Sequence, residues 1–117
     1  MKEIPKSTKV VVIGGGVAGC STAYHLAKFG WKDTVLLERD VLTSGTTWHA
    51  AGLIGQLGSS ATITKLRNYS LNLYKQLEKE TGLSTGLKQN GSLTVATTSD
   101  RLEELKRQVT FAQRFDI

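Results

Sequence analysis

Hydrophobic and polar positions along this chain change period several times, and each change predicts an element. Val10, Val11, Val12 and Ile13 form an apolar, β-branched run bounded by glycine, the pattern of a buried strand. Residues 18–29 switch to helical spacing, with Gly19, Ala23, Leu26, Ala27 and Gly30 on one face at steps of three and four. Gly30 is the expected stop. Thr34, Val35, Leu36 and Leu37 make a second short apolar run that ends at Glu38. Residues 39–60 then lose all periodicity, and a stretch of that length inside a compact domain usually carries function. Amphipathic spacing returns over residues 62–81, with Ile63, Leu66, Leu73, Tyr74 and Leu77 on one stripe and Gly82 ending it. Asn90-Gly91 is a turn dipeptide that predicts a short strand over residues 92–97. Asp100, with Glu103 three residues on, predicts the capped start of a last helix running almost to Ile117. Leu102, Leu105, Val109 and Ala112 are its expected buried face.

Strand, helix and strand in that order predict an α/β fold, a Rossmann-type βαβ unit with additional helices and one short strand. Two parallel strands do not finish such a sheet, because parallel sheets are normally covered on both faces. Residues 1–117 therefore read as the N-terminal part of a dinucleotide-binding domain that is itself incomplete, with the substrate domain absent.

The junction of the first strand and helix carries the first chemical signal. Gly14, Gly16 and Gly19 fit G-x-G-x-x-G, and each has its own mechanical reason. The first allows the tight turn, the second lets backbone approach a pyrophosphate, and the third lets helix lie close on strand. The helix that follows, entered through Val17 and Ala18, offers unsatisfied N–H groups and a positive dipole end to the diphosphate. Glu38 stands nineteen positions after Gly19, close to the spacing of the acid that accepts from both adenosine ribose hydroxyls. Glycines that merely permit close packing are the plainer alternative.

Bulk properties narrow the picture. At 117 residues the chain is the size of one small domain, and no apolar stretch approaches the ~20 residues of a membrane span. The opening MKEIPKST lacks the apolar region of a signal peptide, so a cytoplasmic location is expected, or the mitochondrial matrix in a eukaryote. Cys20 is the only cysteine, which excludes an internal disulfide. The net charge of +5 comes largely with alternating signs, as in KQLEKE and RLEELKR, which suits solvated helix faces. No basic-aromatic cluster points to nucleic acid, and no set of side chains is assigned to a metal.

The most specific stretch is LTSGTTWHAAGL at residues 42–53, preceded by VLLERD. Together with YSLNLYKQLEKETG, KQNGSLTVATT and RLEELKRQ, it resembles the N-terminal region of the dimethylglycine and sarcosine dehydrogenases. These belong to the wider group of FAD-dependent amine and D-amino acid oxidases. The resemblance covers nearly the whole chain but only the front of such an enzyme.

It implies that the dinucleotide is FAD, with Glu38 on its ribose. Gly45, Thr46 and Thr47 match a second nucleotide-contacting turn, where small residues and hydroxyls permit close approach and hydrogen bonding. Arg39 either supports the adenosine end or is simply solvated. His49 matches the histidine through which members hold flavin covalently, the alternative being a loop histidine that only touches the cofactor. Trp48, Ala50, Ala51 and Gly52 would wall the flavin ring, unless Trp48 is simple core. The family oxidises an N-methyl amine by hydride transfer to flavin, so a small-molecule amine is the implied substrate. Residues that capture it lie later in such enzymes, and no catalytic residue is assigned here. Two other readings stay open: a non-catalytic nucleotide-binding fragment or subunit that needs a partner chain or a missing C-terminal region, and an NAD-dependent Rossmann enzyme. Glu38 would serve NAD equally well, but the SGTTWHAAG loop suits a flavin better.

Overall fold

Val10–Ile13 and Thr34–Leu37 form the two strands β1 and β2. In the computed structural model, which describes residues 4–117, they pair in parallel with Val10 opposite Thr34 and Ile13 opposite Leu37. Residues 1–3, the start of the segment read for a targeting signal, lie outside the described residues. Helix α1, Val17–Lys28, makes the crossover, starting one residue earlier than the spacing predicts. Its stop is as read: Gly30 has φ +88°, and its N–H donates to Ala27 O at 3.0 Å. Val12 is buried, whereas Ile13, one residue along the strand, is 85% exposed. Strand side chains alternate between faces, so one sheet face is covered and the other is not. Such a sheet is an incomplete Rossmann-like arrangement.

The chain divides into two compact units, Met1–Leu53 and Ile54–Ile117. The second unit is built on α2, Ala61–Thr81, and α3, Ser99–Ala112, followed by a short 3-10 turn at Gln113–Phe115. The Ser60 side chain caps α2 by accepting from Ile63 N–H, and Gly82 closes it in the left-handed conformation at φ +69°. Thr64 is fully buried yet satisfied: its hydroxyl donates to Ser60 O at 2.8 Å and accepts from Gly58 N–H at 3.1 Å. Satisfaction on both sides removes the cost of burying a polar group.

Four expectations need correction here. Residues 92–97 form no strand, since no ladder partner exists for them among the described residues. The cap of α3 is the Thr98 hydroxyl, which accepts from Arg101 N–H at 3.2 Å, and not an Asp100–Glu103 box. A threonine one turn before the run serves the same orphan amides as an aspartate would. The helix also ends at Ala112, short of the predicted extent. Finally, the apolar stripes hold only in part: α2 buries Thr64 and Leu71, leaves Leu73, Tyr74 and Leu77 half-buried and exposes 60% of Leu66, while α3 buries Ala112 as expected but leaves Leu102 and Val109 exposed.

Candidate cofactor site

Everything read as cofactor-binding falls in the first unit, where the turn after β1 meets the segment after β2. Gly14 takes φ +99°, which turns the chain sharply out of the strand, and its N–H donates to Leu37 O at 2.8 Å. Gly19 sits so close that a Cβ there would lie 1.8 Å from the Gly14 carbonyl oxygen. Gly14 has open space but a backbone conformation that side chains rarely adopt, whereas Gly19 has no room for one.

Between them lies a residue the spacing treats as arbitrary. Gly15 is buried, and three partners converge on its backbone. Its N–H donates to Glu38 Oε2 at 2.6 Å, and its carbonyl accepts from Thr43 N–H at 2.9 Å and from Cys20 Sγ at 3.3 Å. A Cβ at Gly15 would meet Leu42 at 2.4 Å and the Glu38 Cβ at 3.0 Å. Gly15, Leu42 and Thr43 are thus site residues that motif reading missed. The unbroken triplet Gly14-Gly15-Gly16 was the only available signal, and for Thr43 there was none. Thr43 holds φ +66°, unusual for a β-branched residue. Its N–H bond to Gly15 and the bond its carbonyl accepts from Trp48 N–H, at 3.1 Å, support that conformation.

Glu38 is the electrostatic centre. Its Oε1 also accepts from Asp40 N–H, at 3.1 Å. The Gly15 amide first, then the Asp40 amide, hold its carboxyl below the usual carboxylate range, with further help from the Arg39 backbone and positive charge. Arg39 itself is exposed.

The second turn is brought onto the first by one side chain. Thr47 Oγ1 accepts from Val17 N–H at 2.9 Å, and a Cβ on Gly16 would stand 3.1 Å from that oxygen. Residues 43–50 wind through successive turn bonds, including His49 N–H to Thr46 O and Ala50 N–H to Thr47 O, both 3.2 Å. His49 Nδ1 lies 2.9 Å from Gly45 O, which ties the ring to its own loop. Gly52 has φ +70° in open surroundings, and Trp48 is 79% exposed, so Trp48 is not core in this unit.

FAD fits these residues. Gly16 gives α1 no side-chain cap, and no acidic residue stands in its first turn. The amides at Ala18 and Gly19 therefore open an anion-compatible helix start with a turn that carries no bulk.

A parallel βαβ crossover, a glycine crook and an acid at the end of the second strand are the features of a dinucleotide-binding unit. Residues 9–117 match the family described as FAD dependent oxidoreductase, and the chain belongs to that family. FAD is the cofactor of the family. Over 117 residues, 99% of the chain, it is 47% identical to human (Homo sapiens) mitochondrial sarcosine dehydrogenase. Human mitochondrial dimethylglycine dehydrogenase is 50% identical over 102 residues, 87% of the chain. The mouse (Mus musculus) mitochondrial pyruvate dehydrogenase phosphatase regulatory subunit is 48% identical over 104 residues, 89% of the chain. The chain spans only 13%, 12% and 12% of the lengths of these three relatives. Among solved structures, glycine oxidase from Bacillus cereus superposes with a TM-score of 0.67 at 29% identity, covering 92% of this chain and 31% of that one.

Proposed function

We propose that these residues are the N-terminal part of the FAD-binding domain of an amine oxidoreductase, acting on an N-methylated glycine such as sarcosine or dimethylglycine, with His49 as the point of covalent flavin attachment. One observation carries the reading: the glycine turn, Glu38 and Thr47 are hydrogen-bonded into a single piece at the start of a helix whose own N-cap residue, Gly16, supplies no side-chain acceptor. The names and identities of the two dehydrogenase relatives supply the substrate class.

Each residue then has a defined task. The Ala18 and Gly19 amides face the diphosphate. A carboxylate has about four acceptor positions, of which the Gly15 and Asp40 amides use two on Glu38, leaving capacity for ribose hydroxyls. The lowered pKa keeps that acceptor charged throughout the physiological range. At His49 the Gly45 carbonyl can only accept, so in the neutral ring Nδ1 carries the proton and Nε2 keeps its lone pair. That nitrogen is the nucleophile available for attachment. When bound, FAD supplies the two-electron acceptor for amine oxidation, while protein orients it. Substrate capture belongs to residues beyond this segment. The relatives named as mitochondrial favour the mitochondrial matrix for a eukaryotic host. Among the described residues no helix is long and apolar enough to cross a membrane.

Denaturing the natural protein in acid tests the covalent assignment: yellow colour should stay with the polypeptide, and His49→Ala should release it to the supernatant. Retention by the variant would end the assignment.

A second reading has its own support, because a relative named as a regulatory subunit is as similar as the dehydrogenases. In that case the unit holds a nucleotide without turnover and acts through a partner chain. Sarcosine or dimethylglycine added anaerobically separates the two: flavin bleaching identifies the enzyme, and unchanged colour the subunit.

A further inference from the structure

We propose that Thr47 is a positioning residue that caps α1 across thirty residues of chain and so locks the two cofactor turns into one arrangement, a role that rests on the FAD reading of this site. Residue 16 is where a serine, threonine or aspartate would accept from the second or third helical amide, here Ala18 or Gly19, leaving the first amide of Val17 to another partner. Glycine has nothing to offer there, and α1 has no side-chain cap of its own. That partner comes from the second turn, at 2.9 Å from Thr47 Oγ1 to Val17 N. Gly16 is a condition of this arrangement, since even a methyl group would crowd the Thr47 oxygen at 3.1 Å.

The consequence is a division of labour at the helix start. Satisfying Val17 from the side leaves Ala18 and Gly19 for an anion. A hydroxyl has one donor and two acceptor positions, and Thr47 Oγ1 spends an acceptor position on Val17. Its proton can be donated onward to a phosphate oxygen, which makes the helix amide and the hydroxyl a two-step relay strengthened by mutual polarisation. Thr43 N–H on Gly15 O is the second tie between the turns, but it is backbone to backbone and no substitution removes it directly. Thr47 is therefore the side chain through which the arrangement can be broken.

The test uses the natural protein carrying His49→Ala, from which flavin can be removed, with Thr47→Val, which keeps the shape and removes the hydroxyl, and Thr47→Ser, which restores it. Two probes are titrated: ADP, which carries ribose and diphosphate, and adenosine, which lacks the diphosphate. Thr47→Val should weaken ADP about tenfold and leave adenosine within about twofold, and Thr47→Ser should recover ADP binding. Hydrogen exchange over residues 14–22 should accelerate roughly fivefold in Thr47→Val and return to normal in Thr47→Ser. Equal loss of both probes, or unchanged exchange in Thr47→Val, overturns the proposal. Failure of the protein with Thr47 intact to bind ADP would instead break the FAD reading, and the exchange comparison would still decide whether Thr47 caps the helix.

Discussion

The two units of this chain keep order in different ways. In Met1–Leu53 the defining contacts join distant parts of the sequence through backbone atoms and short side chains: Gly14 to Leu37, Gly15 to Glu38 and Thr43, Val17 to Thr47. In Ile54–Ile117 most polar contacts are one helical turn long, such as Glu103–Lys106 and Glu104–Arg107, or are caps at Ser60, Thr98 and Gly82. Backbone placed by glycine leaves little latitude, so the turns of the first unit are fixed by long-range contacts, which suits the cofactor role proposed for them. Local helix contacts fix where helices begin and end but say little about which face is covered.

Substitutions should sharpen that contrast. The largest effect is expected at Gly19, where a Cβ would collide with the Gly14 carbonyl and only backbone could move. Gly19→Ala should lower stability by roughly 3 kcal/mol in denaturant titration and abolish flavin uptake. A shift below about 0.5 kcal/mol would show that the crook is adaptable after all. At Glu38, Glu38→Gln keeps an oxygen for the Gly15 amide and removes the charge, so in a His49→Ala background, where binding is reversible, FAD should bind roughly tenfold more weakly with the fold intact. Equal affinity would remove the ribose role.

In the second unit the effects should be smaller and local. Thr98→Ala removes the cap of α3 and should cost about 1 kcal/mol of helix stability, read by amide exchange over residues 99–103. The smallest concerns the Glu104–Arg107 pair. Hydrogen bonds from Arg107 and then Gln108 hold the Glu104 carboxyl down to about 2, from an ordinary value of 4.5. A folded-state value below the unfolded one contributes stability that is complete above about pH 4.5 and is lost as pH falls toward about 2. The pair is largely exposed, so acid titration of α3 helicity should show only a shallow change over that window, absent in Glu104→Gln.

This contrast also explains what was legible in the sequence. Both strands, the crossover helix, the glycine crook and Glu38 could be read because each depends on residue type at fixed spacing. Positive φ at Gly14 and absent volume at Gly19 leave a direct trace in composition. Gly15 left only an unbroken glycine triplet and Thr43 nothing, because their importance comes from residues 38–43 folding back onto Gly15. Thr47 was noticed as a hydroxyl suited to a nucleotide, while its bond to Val17 depends on the path of the loop. In the second unit the helices were legible, but their buried faces only in part: Ala112 is buried as its spacing implies, whereas Leu66 and Val109 fit a stripe by spacing and still lie exposed. The strand expected over residues 92–97 failed for a related reason, since alternation describes a strand only when a neighbour can pair with it.

The most direct test is amide exchange with and without FAD, on the natural protein carrying His49→Ala so that the cofactor can be removed and restored. Cofactor should slow exchange at both residues 14–20 and residues 43–50, because one ligand closes over a crook and a loop already tied together. FAD bound with those two stretches unchanged would contradict the account.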